Sequence, residues 1–432
     1  MVLMRRLEHM NRSDRVNTEP PHASRSAAVF LGLNRGMVGL LSMVILVGMG
    51  ERMAERFLPI YLMALGGGAL SIGLLNGLDN LLSALYSFPG GYLSDRLGTK
   101  RALLVFNLLA IFGFLVVILI PTWFAVIAGS FFFLSWTAIS LPATMSLVAR
   151  VLPKNKRTMG VSMHSLVRRI PMALGPMLGG LMITVWGETR GVRFAFIGAL
   201  ALAVVAMILQ QRMISDEIDK TGGQTKAQAD PLHLLREMPS SLRRLLVSDI
   251  LIRFCEQIPY AFVVVWAMKS ITHPVSAFEF GILTTIEMTT AVLVYIPVAW
   301  LADRTTKKPF VALTFVFFTL FPLALLFCQS FWTLALVFVL RGLKEFGEPT
   351  RKALIMDLAP AGKEAGMFGL YYLIRDVVVS IAAFGGAFLW QVSPAINFIT
   401  AFAFGLAGTA WFIVFGRDEA TSHHPGTKEV KP

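Results

Sequence analysis

The sequence predicts an all-α membrane protein, with twelve transmembrane helices divided into two halves of six. Three observations predict it. Apolar runs of about 20 residues recur from Gly36 to Phe415, the length a helix needs to cross about 30 Å of hydrocarbon. One long hydrophilic stretch, 211–243, interrupts them midway and carries Gly222, Gly223, Pro231 and Pro239. Residues of the first half recur in order in the second, displaced by about 207 positions. Such runs must be helical, because lipid offers no partner to the backbone groups of an open sheet edge.

In chain order, residues 1–35 are polar and Arg-bearing, with no apolar core ahead of a cleavage site. They are expected to stay as a cytoplasmic tail. The first half, 36–210, holds runs at 36–65, 70–94, 101–120, 122–149, 159–185 and 192–210. The stretch 211–243 reads as a cytoplasmic linker. The second half, 244–416, holds runs at 244–268, 277–302, 308–328, 331–350, 366–390 and 394–416, and residues 417–432 form the second tail.

Composition agrees: 55% of the chain is hydrophobic and 15% charged, where soluble proteins have about 25% charged. The net charge of +13 could suggest a nucleic-acid partner, but its distribution argues against one. Nineteen Lys and Arg fall in the loops after even-numbered spans, and only Arg190, Arg193 and Lys269 after odd-numbered ones. That asymmetry places both termini in the cytoplasm. The two cysteines, Cys255 and Cys328, lie within spans and make no disulfide framework. No phosphate-binding loop, nucleophile elbow or zinc-binding histidine pair occurs, so neither an enzyme nor a cofactor is expected.

The repeat is specific. Gly73 recurs as Gly281, Asp79 as Glu287, Asp95-Arg96 as Asp303-Arg304, Arg169 as Arg375, and Gly179-Gly180 as Gly385-Gly386. Arg52-x-x-Glu55, followed by Pro59, recurs as Arg253-x-x-Glu256, followed by Pro259. The loop after span 2 runs Gly91-Tyr92-Leu93-Ser94-Asp95-Arg96-Leu97-Gly98-Thr99-Lys100-Arg101. It resembles the signature loop of the major facilitator superfamily, G-x3-D-R-x-G-x-[RK]-[RK], at every position. The copy around Asp303 and Arg304 is degenerate, with Thr306 in place of the glycine. The resemblance implies two pseudo-symmetric six-helix bundles around a midplane cavity that opens to each side in turn. In this loop Gly98 permits a tight turn and Asp95 can answer a helix dipole or a neighbouring base. Gly91, Asp95, Arg96, Gly98, Lys100, Arg101, Asp303 and Arg304 are therefore candidate gating residues; the alternative is that they only fix topology.

Charges inside spans are the other signal, because each costs about 2.5–3.5 kcal/mol at the bilayer centre. Eight acids (Glu51, Glu55, Asp79, Glu256, Glu287, Glu345, Glu348, Asp376) face eight bases (Arg52, Arg56, Arg168, Arg169, Arg253, Arg341, Lys344, Arg375). Spacings of three and four put Arg52 with Glu55 and Arg56, Arg253 with Glu256, and Arg341 with Lys344, Glu345 and Glu348 on shared helix faces. These residues, with Arg375 and Asp376, are expected to line the cavity; internal salt bridges are the alternative for each. Adjacent Arg168 and Arg169 point about 100° apart and are not expected to share one small site. Glu345 and Glu348, one turn apart, are weak candidates for a cation or a shared proton, with Arg341 and Lys344 beside them. His164, one turn before Arg168, reads as a packing residue.

Span 5 ends in Gly175-Pro176-Met177-Leu178-Gly179-Gly180, similar to the G-P-x-x-G-G of antiporters in the superfamily, although Pro171 stands where those carry a further glycine. The arginine many proton-driven members carry in span 4 is missing from Phe133 to Pro142. Gly50–Pro59, Ala84–Gly91, Arg168–Pro176 and Gly347–Lys352 resemble a bacterial subgroup that includes the magnetosome-membrane permeases (MamH-type) of magnetotactic bacteria. That likeness implies iron, free or chelated, as cargo, and a bacterial inner or magnetosome membrane as location. Export of an anionic organic solute, drug or lipid-like amphiphile is the rival expectation, and a scaffold or sensor without turnover is a third. The expected partners are a small-molecule or ion substrate, the lipid bilayer and other membrane proteins, with no nucleic acid.

Overall fold

The computed structural model describes residues 35–134, 136, 140, 144, 167–214, 231–302, 306–360 and 363–416. All regular structure among the described residues is helical. The first half contains α1 (Arg35–Glu55), α2 (Leu58–Ala64), α3 (Ala69–Leu97), α4 (Thr99–Leu119), α5 (Trp123–Phe133) and α6 (Arg169–Met213). A short α7 (Pro231–Glu237) leads into the second half. There follow α8 (Ser240–Tyr260), α9 (Val263–Val265) with a π turn at Trp266–Ser270, α10 (Ala277–Ala302), α11 (Lys308–Leu326), α12 (Phe331–Leu343), α13 (Glu348–Asp357), α14 (Glu364–Val392) and α15 (Pro394–Phe415).

Local chemistry sets the boundaries. Gly98 turns between α3 and α4 at φ 79°, and Gly66 precedes α3 at φ 83°, a region that side chains disfavour. Thr122 and Ser393 cap α5 and α15 with their hydroxyls, and Ser330 and Thr333 form a capping box on α12. Gly187, at φ 80°, interrupts the 45-residue α6. A Cβ on Gly191 would lie 2.5 Å from the Cα of Ile183, a closeness that residues eight apart reach only where the chain doubles back.

Among the described residues seven helices are long and apolar enough to cross a membrane, or eight if α8 and the segment after its 40° bend count as one span. Twelve were expected. The described residues leave that count open, because most of 135–166, where the fourth and fifth runs meet, lies outside them. Within the described residues, Pro349 starts a new helix where the tenth run would continue, and α6 joins two runs into one element. The described part of α5 is only 11 residues long. Large apolar side chains such as Trp332, Leu336, Ile381 and Val392 lie outward and mostly exposed, as a lipid-facing surface requires.

The halves meet along two helix pairs, and glycine permits the close approach. A Cβ on Gly73 of α3 would lie 2.4 Å from that of Ala387 of α14, and one on Gly180 of α6 would lie 2.2 Å from the carbonyl oxygen of Ala277 of α10. These contacts cluster near the face that carries the turns at 65–68, 187 and 271–276. Close to it, Lys269 pairs with Glu188, and the amide of Phe278 donates to Thr184 Oγ1 at 3.2 Å.

Candidate functional site

Below the seam of glycines the halves part around a cavity of about 380 Å³, within the range of small-molecule sites. At 1.5 Å per residue, Arg168 and Arg169 lie about 17 Å along α6 from Gly180, and Asp79 lies about 9 Å along α3 from Gly73. The cavity therefore occupies mid-depth and continues toward the face of the turns at 98 and 358–360, where Lys352 is half exposed. Seven bases and five acids line it.

Seven of the eleven residues expected in a cavity meet here: Arg52, Arg56, Arg253, Glu256, Lys344, Glu345 and Glu348. Asp79, Arg168, Arg169 and Glu287 join them. Arg168 and Arg169 both reach this space, against the expectation from their 100° separation. The cavity is wide, and an arginine side chain is long enough to turn toward it from either flank. Glu55 and Arg341 line a smaller adjoining cavity of about 50 Å³ with Arg56, Asp79 and Tyr260.

Arg375 and Asp376 line neither. Arg375 is buried, donates to Asp249 at 3.4 Å and to Asp376 at 2.7 Å, and stacks on the Tyr372 ring at 4.1 Å. The cause is Asp249, a fully buried acid of α8 that also accepts from Arg351 and, at 3.1 Å, from the Tyr371 hydroxyl. Sequence reasoning missed both Asp249 and Arg351. Their only signals were spacings, with Asp249 four residues before Arg253 and Arg351 three after Glu348.

The second half binds its charges to one another. Lys344 donates to Glu256 at 2.6 Å, Arg253 to Glu256 at 2.5 Å and to Glu348 at 3.5 Å, and Arg351 to both Glu348 oxygens at 2.7 and 2.8 Å. Arg341 lies 3.2 Å from Glu287 and over the Phe321 ring at 5.1 Å. Together these pairs form a continuous lattice from the cavity wall to the buried Asp249, joining α8, α12, α13 and α14.

The first half leaves more of its charge open. Arg52 pairs with Glu55 at 2.8 Å. Arg56 lies over the Tyr260 ring at 5.1 Å, and neither it nor Arg168 has a carboxylate within 4 Å among the described residues. The repeat explains the contrast: Gly48 and Thr144 stand where shifts of 201 and 207 would put the counterparts of Asp249 and Arg351. Arg169, the counterpart of Arg375, instead reaches across the cavity to Glu345 at 3.3 Å. Other bonds cross the same divide, from Asn76 to the Gln257 carbonyl at 3.0 Å and from Thr285 to the Ala173 carbonyl at 2.7 Å.

As for the metal candidates, Glu345 is held by Arg169, and Glu348 by Arg253, Arg351 and Lys352. Among the described residues no group of three or more His, Cys, Asp and Glu stands together. Of the signature loop, Gly98 makes its turn, Arg96 lies over the Tyr92 ring at 5.4 Å, and the Lys100 carbonyl accepts from Gln210 at 2.9 Å. Arg101 is exposed at the start of α4. Gly91 is within α3, the Asp95 side chain is outside the described set, and Asp303, Arg304 and His164 lie wholly outside the described residues.

Comparison with known proteins agrees with this architecture. A family model described as Major Facilitator Superfamily matches residues 40–267 and again 245–432. An uncharacterized MFS-type transporter of Methanocaldococcus jannaschii is 21% identical over 372 residues, covering 81% of this chain and 87% of that protein. One from Bacillus subtilis is 29% identical over 152 residues, covering 32% and 35%. Among solved structures, a POT family transporter in complex with 5-aminolevulinic acid superposes with a TM-score of 0.73 at 14% identity, covering 88% of this chain and 96% of that one. The nucleoside transporter NupG gives 0.72 at 13%, covering 88% and 100%, and the human organic anion transporter MFSD10 gives 0.59 at 16%, covering 87% and 98%. Two matched halves, apolar crossing helices and a polar cavity between them have one common account: the chain belongs to the Major Facilitator Superfamily and is a multi-pass membrane transporter of the secondary type.

Proposed function

We propose that the protein works by alternating access and carries a small solute bearing at least one anionic group through the cavity between its halves. One observation carries the reading. Arg56 and Arg168 reach this cavity at membrane depth with no carboxylate within 4 Å among the described residues. A guanidinium that costs so much to place there, and that has no acid in contact among the described residues, is suited to meet charge brought by a cargo.

In this reading the broken helices complete a count of twelve spans, in bundles 36–210 and 244–416 joined by the cytoplasmic linker 211–243. With both termini in the cytoplasm, the glycine seam seals the opposite face and the cavity opens inward. The likeness in fold to an organic anion transporter is compatible with such a cargo. Iron, which the resemblance to magnetosome permeases implies, suits a wall of seven bases and five acids as an anionic chelate better than as a bare cation.

Uptake into proteoliposomes tests this, comparing ferrous iron, ferric citrate and an anionic dye under an imposed pH gradient. Ferric citrate or the dye is expected to move, with Arg168→Gln and Arg56→Gln each lowering the rate at least about tenfold, the loss of one charge-assisted contact of about 1.5–3 kcal/mol. Uptake of ferrous iron alone, or an unchanged rate in both variants, would remove the anion-site reading.

A further inference from the structure

The central cavity and the smaller one that adjoins it differ in kind. Among the described residues lining the larger, only Met172 and Met288 are apolar. Most of those lining the smaller are apolar, including Leu58, Leu75, Leu134, Val263, Val264 and Phe280. Its place follows from breaks in two helices. Leu58 and Val263 open the short helices α2 and α9, just after the chain leaves α1 at Glu55 and α8 at Tyr260. Leu75 lies one turn along α3 from Asp79, on the way to Gly73 and the glycine seam. The small cavity is therefore the apolar end of the large one, beneath the seam. Arg56, Asp79 and Tyr260 line both spaces and form the threshold between them. There the Tyr260 ring has the Arg56 guanidinium 5.1 Å and that of Arg341 5.7 Å from its centre.

We infer that the cargo is an amphiphilic organic anion, whose charged group rests on Arg56 and whose compact apolar group, about four carbons in size, fills the small cavity. The inference rests on the reading of the cavity as an anion-cargo site and adds the chemical class of the cargo. Arg56 has no carboxylate within 4 Å among the described residues, and apolar walls begin directly behind it. One molecule with both characters satisfies the two at once, whereas an all-polar ion such as citrate gains nothing from the walls. Volume sets the size. The space is about 50 Å³, against roughly 10–15 Å³ for a single water on the same measure, so it admits about three to five heavy atoms. Each methylene that leaves water for such a space raises affinity about threefold to fourfold, and the gain ends when the space is full.

A homologous series reads the pocket directly. Alkanesulfonates from methanesulfonate to hexanesulfonate are the probes, because they stay charged and do not cross a bilayer as neutral acids. Each is titrated against purified full-length protein in nanodiscs and followed by tryptophan fluorescence, with partition into protein-free nanodiscs subtracted. Affinity is expected to rise about threefold to fourfold per carbon as far as butane- or pentanesulfonate and then to level off. Ala261→Leu, which adds an isopropyl group to the wall, is expected to flatten the series while methanesulfonate binds as before. Leu134→Ala, which removes one, is expected to carry the rise to a longer chain, an effect that a merely structural role would not produce. Arg56→Gln is expected to weaken every member by a similar factor. A series without chain-length dependence in the unmodified protein, or one with the same slope and plateau in the Ala261 and Leu134 variants, overturns the inference while methanesulfonate binding keeps the anion site. Failure of every sulfonate to bind overturns the anion site itself, and this inference with it.

Discussion

Replacing Asp249 tests whether the second half is held as a unit by its charge lattice. Asp249 is fully buried and accepts from Arg351, Tyr371 and Arg375. Arg351 is itself 1% exposed, so removing the acid leaves a guanidinium that cannot reach water. Breaking such a pair by one partner costs about 3–5 kcal/mol, whereas replacing both partners by apolar groups is close to neutral. Asp249→Leu is thus expected to lose about 3–5 kcal/mol of stability, and Asp249→Leu with Arg351→Met to recover at least about 2 kcal/mol of that loss. Recovery is incomplete because Arg375 and Glu348 also lose a partner, although Asp376 holds the one at 2.7 Å and Arg253 and Lys352 the other. Denaturation of purified protein in mixed detergent micelles, followed by far-UV circular dichroism, reads both numbers. A single variant within 1 kcal/mol of the parent, or a double variant no more stable than the single, would refute the lattice as a structural unit.

Two further outcomes follow from close packing and from a surface pair. A side chain on Gly180 must displace the Ala277 carbonyl, so Gly180→Leu is expected to preserve the fold, disfavour the sealed seam and cut exchange transport at least about tenfold, a shift of about 1.4 kcal/mol between states. Unaltered exchange would show that the seam does not need to close. Outside the spans, the hydrogen bond from Lys363, with His233 beside it, holds the Glu237 carboxyl below its ordinary range. A depressed carboxylate stabilises the folded form above its unfolded pKa of about 4.3 and loses that contribution as pH falls through the folded value. Amide exchange in α7 should therefore quicken as pH falls below about 4, after correction for intrinsic rates, and Glu237→Gln should abolish that dependence.

Much of the fold was legible in the sequence because a bilayer leaves an apolar run little choice but helix. The repeat was legible for a related reason: Gly73, Gly180 and Gly281 sit at positions where two backbones must nearly touch, and glycine alone fits. Local pairs were legible too, since Arg52 with Glu55 and Arg253 with Glu256 are fixed by helical spacing. What spacing does not encode is choice of partner between helices. Arg375 and its counterpart Arg169 occupy matching positions, yet one turns inward to Asp249 and the other crosses to Glu345, because only the second half carries the acid. Hydrophobicity alone does not show where a run breaks, as at Pro59, Glu348 and Pro349, and these breaks are also where the cavity's charges gather.

The central claim is a water-filled path between the halves that opens to each side in turn. Met172 lines the cavity beside Arg168 and Arg169, and both native cysteines are buried and can be removed by Cys255→Ser and Cys328→Ser. With Met172→Cys in that background, reaction with a membrane-impermeant thiol reagent is measured from each side of oriented vesicles, with and without a transported anion. Rapid labelling from the cytoplasmic side in the resting protein, and from the opposite side only during transport, is the predicted result. A thiol that reacts from neither side, or equally from both at rest, would contradict it.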